Sequence, residues 1–170
     1  MKKVILGVVL TVLVVFSSDK VMAKSAQQNF GLGVLLGAPT AITGKYWLND
    51  EVAIDGGLAF SFSDYVLIYA DYLIHYPRPF NLTEKFFTEL SFYVGAGGNL
   101  VTTTNERTTT DNYLGKKSGS LGLGVRIPFG LEWMPAQPSL GFFAEIVPGI
   151  SVVPATSVLV QGGFGVRYYF

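Results

Sequence analysis

The chain contains no cysteine, which excludes a disulfide scaffold, thiolate metal sites and a lipidated N-terminal cysteine. It has a single histidine, His75, too few for a histidine-based zinc site. Charge is scarce, at 14% of 170 residues, and balanced, with 12 basic and 12 acidic side chains. No basic field is available to attract nucleic acid, and none is expected as a partner. Beyond the N-terminus no apolar run approaches the about 20 residues that a helix needs to cross a bilayer. Yet mean hydropathy is high, at +0.41. High hydropathy without long runs is what a transmembrane barrel produces, because its apolar residues occupy every second position.

The length allows one domain. Met1–Ala23 reads as a signal peptide: Lys2 and Lys3 give a positive start, Val4 to Phe16 an apolar middle, and Val21-Met22-Ala23 a small-residue cleavage site. The expected organisation is therefore a signal peptide over 1–23 and one barrel domain over 24–170. Removing the first segment leaves nine basic and eleven acidic residues, a net charge of −2.

The rest of the chain alternates. Side chains of a strand point in turn to opposite faces, so each run divides into two sets. Ile42, Tyr46 and Leu48 oppose Thr43, Lys45 and Trp47; Val52, Ile54, Leu58 and Phe60 oppose Ala53, Asp55, Gly57 and Ala59. Val66, Ile68, Tyr72 and Ile74 oppose Leu67, Tyr69, Asp71 and His75. The cleanest run sets Leu121, Leu123, Val125, Ile127, Phe129, Leu131 and Trp133 against Gly122, Gly124, Arg126, Pro128, Gly130 and Glu132. Turn chemistry separates the runs, with Asn49-Asp50 a hairpin signal. Thr102–Ser118 is Thr-rich and aperiodic, hence a long loop.

This pattern predicts an all-β fold, a closed antiparallel transmembrane barrel of about eight strands. One face of each run is almost free of charge and suits lipid. The other mixes small residues with Lys45, Asp55, Asp71, Arg126, Glu145 and Arg167 and suits a narrow lumen. Lipid cannot satisfy a free sheet edge, so closure is required. An even strand number puts both termini in the periplasm and the Thr102–Ser118 loop outside the cell. Tyr76, Phe80, Phe86, Phe87, Trp133, Tyr168 and Phe170 are expected to form the inner aromatic girdle. Pro128 and Pro148, on facing strands, predict a bulge.

The chain ends GFGVRYYF (Gly163–Phe170), with Gly165, Tyr168 and Phe170 at the spacing of glycine, two residues, aromatic, one residue, terminal aromatic. This resembles the C-terminal assembly signal of bacterial outer-membrane barrels. With GVRIPFGLEW (Gly124–Trp133) and FFAEIVPG (Phe142–Gly149), the chain resembles the small OmpA/OmpX-type barrels, and more closely their uncharacterised relatives. The resemblance implies a bacterial outer-membrane location, contact with outer-membrane lipid, and recognition of the last strand by the barrel assembly machinery. It brings no established activity with it.

No catalytic, metal or cofactor site is expected. Some barrels of this size are lipid A hydrolases using His and Ser on neighbouring strands, and His75 with Ser91 is the one pairing of that type; neither stands in a family motif. Paired glycines such as Gly31/Gly33 lie within strands and precede no helix, so they are not phosphate loops. The six inward charges, three basic and three acidic, are expected to form one network that plugs the lower lumen, with Arg126 and Arg167 bracketing Glu145. Two functions remain open. One is a structural or surface-interaction role in envelope integrity or adhesion, with an unspecified surface partner. The alternative is a narrow pore or transporter for a small or hydrophobic solute.

Overall fold

Alternation sorts residues into two faces, and the hydrogen-bond ladder decides where those faces point. The computed structural model describes residues 29–60, 65–80, 82–103, 121–135, 137–153 and 156–170. The expected signal peptide, the Ser63-Asp64 turn and nearly all of the Thr102–Ser118 loop lie outside the described residues.

Nine strands follow in order: β1 Phe30–Ala38, β2 Ala41–Trp47, β3 Val52–Phe60, β4 Tyr65–Pro77, β5 Leu90–Thr103, β6 Leu121–Arg126, β7 Phe129–Trp133, β8 Leu140–Val153 and β9 Ser157–Tyr169. All pairings among the described strands are antiparallel and, apart from the closing pair, join sequence neighbours, with β6 and β7 together forming one broken stave between β5 and β8. The ring closes where β1 meets β9, with Gly31 opposite Tyr169 and Ala38 opposite Gly162. Every described strand therefore has a partner on both sides, and the architecture is an eight-stave antiparallel barrel.

The faces are inverted relative to a water-soluble protein. Lys45 and Glu132 are fully buried, whereas Phe164 is 75% and Val158 79% exposed. Large apolar side chains stand outward on every stave, among them Leu32, Ile42, Ile54, Ile68, Leu100, Leu123 and Ile146. A continuous apolar exterior around a closed sheet is a membrane-facing surface.

The turns follow from local chemistry. After β2, the Asn49 carboxamide oxygen accepts from the N–H groups of Glu51 and Val52 at 2.9 and 2.8 Å, an Asx turn that aims β3 back along β2. The connection from β4 to β5 is not the simple polar turn its prolines announce. It contains a one-turn helix, α1 (Lys85–Thr88), whose Phe86 ring lies 5.4 Å from that of Trp133 on the outer wall.

The bulge expected at Pro128 and Pro148 is not there. Arg126 pairs with Gly149 and Phe129 with Ile146 in one unbroken register, and the shift falls instead between Leu123 and Gly124. A proline forfeits only its N–H. The carbonyls of Pro128 and Pro148 still accept, each at 2.9 Å, from Gly95 and Ile127. The ladder skips a rung without needing an extra residue.

Inside, four rings lie over glycines directly across the ladder: Tyr69 over Gly57, Tyr93 over Gly130, Phe143 over Gly165 and Tyr169 over Gly31. A side chain at Gly130 would put its Cβ 2.3 Å from Tyr93 Cζ and 2.7 Å from the Ala144 carbonyl. Gly130→Val is therefore expected to destabilise the barrel by about 1–3 kcal/mol. Gly44, which faces outward with its nearest neighbour at 3.7 Å, should accept valine with little change. Denaturant titration of the two variants, read by heat-modifiable gel mobility, checks the contrast, and equal stability would refute it.

Candidate functional site

The lumen holds the chain's concentrated chemistry. Ladder register fixes its first row, because Lys45 pairs with Asp55, Asp55 with Asp71, Asp71 with Gly97 and Gly97 with Arg126. The remaining long side chains sit between glycines. Arg126 is flanked by Gly97 and Gly149, Glu145 by Gly130 and Gly163, and Arg167 by Gly33 and Gly141. Without a neighbouring Cβ, each can lie across the lumen rather than point straight at the opposite wall.

All six charged residues expected inside are buried there, but five of them divide into two groups and Lys45 pairs outside both. In the first, Arg167 Nη2 donates to Asp55 Oδ2 and, at 3.0 Å, to the Thr43 hydroxyl, which in turn donates to Asp55 Oδ1 at 3.3 Å. The Arg167 guanidinium also lies 3.7 Å from the centre of the Phe143 ring, a cation–π contact. In the second, Arg126 faces Asp71 at 3.1 Å and Glu145 at 3.9 Å, and donates to the Gln161 carboxamide oxygen at 3.3 Å. The Tyr93 hydroxyl donates to Glu145 at 3.0 Å.

Two details depart from the expected network. Arg167 does not bracket Glu145. It turns to Asp55 and to Glu132, whose Oε1 lies 3.6 Å from Nη1. Glu132, a seventh charge that was not among the six, joins Lys45 to the Arg167 group. It pairs with Lys45, accepts from the Tyr169 hydroxyl at 2.7 Å, and lies 3.6 Å from His75 Nε2. Its inward parity was readable in the strand. Its role was not, because its partners come from β2, β4 and β9.

His75 is engaged by Lys45, with Nε2 2.7 Å from the ammonium nitrogen. The Ser91 hydroxyl donates to the Glu132 main-chain carbonyl at 3.3 Å.

Toward the end away from the termini the lumen turns apolar. Leu35, Ala41, Ala59, Leu67, Tyr69, Val101 and Phe143 form one buried cluster, with Tyr65 packed against it. The described lumen thus carries an ionic layer, with an apolar cluster and the buried polar side chains of Asn99 and Ser151 beyond it. Of the residues expected to form the assembly signal, Gly165 lies under the Phe143 ring, while Tyr168 and Phe170 face outward at the chain-end rim, with the Phe170 ring stacked 6.3 Å from Phe30.

Residues 21–169 match the model of the family described as "Protein of unknown function (DUF3996)". The chain belongs to the DUF3996 family. Among curated proteins none matches this DUF3996 chain. Among solved structures it is similar to the N-terminal β-barrel domain of Pseudomonas aeruginosa OprF, with 19% identity, a TM-score of 0.58, and coverage of 84% of this chain and 98% of that one. Neisserial surface protein A (NspA) is 17% identical, with a TM-score of 0.44 and coverage of 83% and 93%. Ail, the attachment invasion locus protein of Yersinia pestis, is 14% identical, with a TM-score of 0.35 and the same coverage. The OprF likeness gives the DUF3996 chain the fold of the small eight-stranded outer-membrane barrels.

Removing one partner of a buried ion pair leaves the other charge unpaired, at about 3–5 kcal/mol. Glu132→Gln, which strands Lys45 and loosens Arg167, is expected to cost that much. Glu145→Gln should cost less, since its cation stands 3.9 Å away. Pairing Glu132→Gln with Lys45→Met should recover part of the loss in denaturant unfolding. A strictly additive double variant would refute the coupling.

Proposed function

We propose that this DUF3996 protein is an integral barrel of the bacterial outer membrane with a structural or surface-interaction role. The supporting observation is the filled lumen. Its charged side chains are committed to one another, and an apolar cluster lies above them. An eight-stranded lumen is only wide enough for side chains to fill it. What such a barrel can offer is a fixed platform for the segments at its rims.

The described ends of the chain, Asn29 and Phe170, lie at one rim, and the longest connection, 104–120 between β5 and β6, leaves from the other. With the chain-end rim in the periplasm, that connection lies at the cell surface. Its Thr-rich, mixed-charge sequence suits envelope integrity or adhesion. In this reading the outer face contacts outer-membrane lipid. The assembly machinery receives β9, where Phe170 closes the ring through its N–H to the Phe30 carbonyl at 2.8 Å.

Two experiments test the reading. Purified protein in planar bilayers should give no stable conductance steps, and reproducible steps would favour a pore. Protease added to intact cells should cut at Arg107, Lys116 or Lys117 and leave a protected core, whereas cleavage only after the outer membrane is opened would invert the topology. Deleting Phe170 should separately lower the amount of folded, heat-modifiable barrel. Undiminished assembly would remove the signal role.

A further inference from the structure

On β8 and β9 the outer wall has a place where bulk is missing beside large side chains. A cross-ladder row runs Phe92, Leu131, Ala144, Phe164 and Leu36 over five staves, and Ala144 interrupts it. In the adjacent row Gly162 follows Phe129 and Ile146. Ala144 and Gly162 thus lie side by side on β8 and β9, and between the rows a groove of about 810 Å³ opens to the outside. Its flanks, Leu36, Ile146 and Phe164, are among the most exposed apolar side chains of the barrel.

Phe80, from the connection that carries α1, lines the groove together with Phe92, near the start of β5. Two residues earlier Arg78 is exposed, held at the rim by its N–H to the Leu90 carbonyl at 3.0 Å. An apolar groove in the lipid-facing wall, with an exposed arginine two residues along the chain from one of its lining rings, has the chemistry of an acyl chain joined to a phosphate.

We propose that this groove seats one acyl chain of a phospholipid, with its phosphate at Arg78. The groove continues the lipid-facing wall, so the proposal rests on the membrane reading above. A second protein wall would meet the ridges of Phe164 and Ile146 before reaching Ala144. A flexible chain passes between them.

The test uses the full chain in lipid nanodiscs, released for native mass spectrometry with phosphatidylglycerol or diacylglycerol as the added lipid. The wild type should retain one phosphatidylglycerol. Ala144→Phe, which fills the groove from its lipid side, should reduce retention at least tenfold, and Phe80→Ala, which removes a lining ring, should weaken it as well. Arg78→Gln should lower retention of phosphatidylglycerol and leave that of diacylglycerol unchanged, which separates the phosphate contact from the chain contact. Equal retention in wild type and both groove variants would overturn the proposal. So would a two-chain complex lost in Ala144→Phe, since the groove would then join copies of the protein. Failure of the wild type to enter bilayers would overturn the membrane reading and the groove with it, whereas entry without a retained lipid overturns the groove alone.

Discussion

The structure depends on one constraint: a sheet whose outside is apolar cannot leave an edge. In hydrocarbon an unpaired main-chain N–H or carbonyl has no water to turn to. The β1–β9 pairing is therefore a condition for the other staves to exist in a membrane at all. Closure then dictates the interior. Eight staves enclose a space that must be filled by alternate side chains, and here those chains include three cations and four carboxylates among the described residues.

Glycine reconciles that charge with so small a space. The glycines across the ladder from Arg126, Glu145 and Arg167 remove the bulk that would force these chains upright. Lying flat, they reach partners on other staves. Aromatic rings use the same device, each covering the glycine across from it, and two of them, Tyr93 and Tyr169, use their hydroxyls to hold Glu145 and Glu132. The interior is thus a set of interlocked long side chains resting on a smooth wall.

The sequence disclosed the barrel, the strand parity and which charges face inward, because period-two alternation is a local property that survives any tertiary arrangement. It did not disclose who pairs with whom. Arg167 and Asp55 are 112 residues apart, and Lys45 and Glu132 are 87 apart. Equal parity and similar depth cannot choose among partners around a ring. Glu132 was passed over for that reason, since its importance lies in converging β2, β4 and β9. Nor could α1 be foreseen. Four residues are too few for periodicity, and the preceding prolines point to a turn. The prolines of β7's approach and of β8 misled in the other direction, because a missing donor resembles a bulge in sequence and is only a skipped rung in space.

The pairing of Phe30 with Phe170 has a consequence in time as well as in space. The first described strand has no partner on its outer side until β9 has been made. Two open edges must coexist until then, each able to pair with the wrong neighbour. Contacts so distant along the chain also form slowly. The protein therefore spends its early life as an unfinished ribbon, dependent on whatever keeps such ribbons apart, and becomes self-sufficient in a single late step.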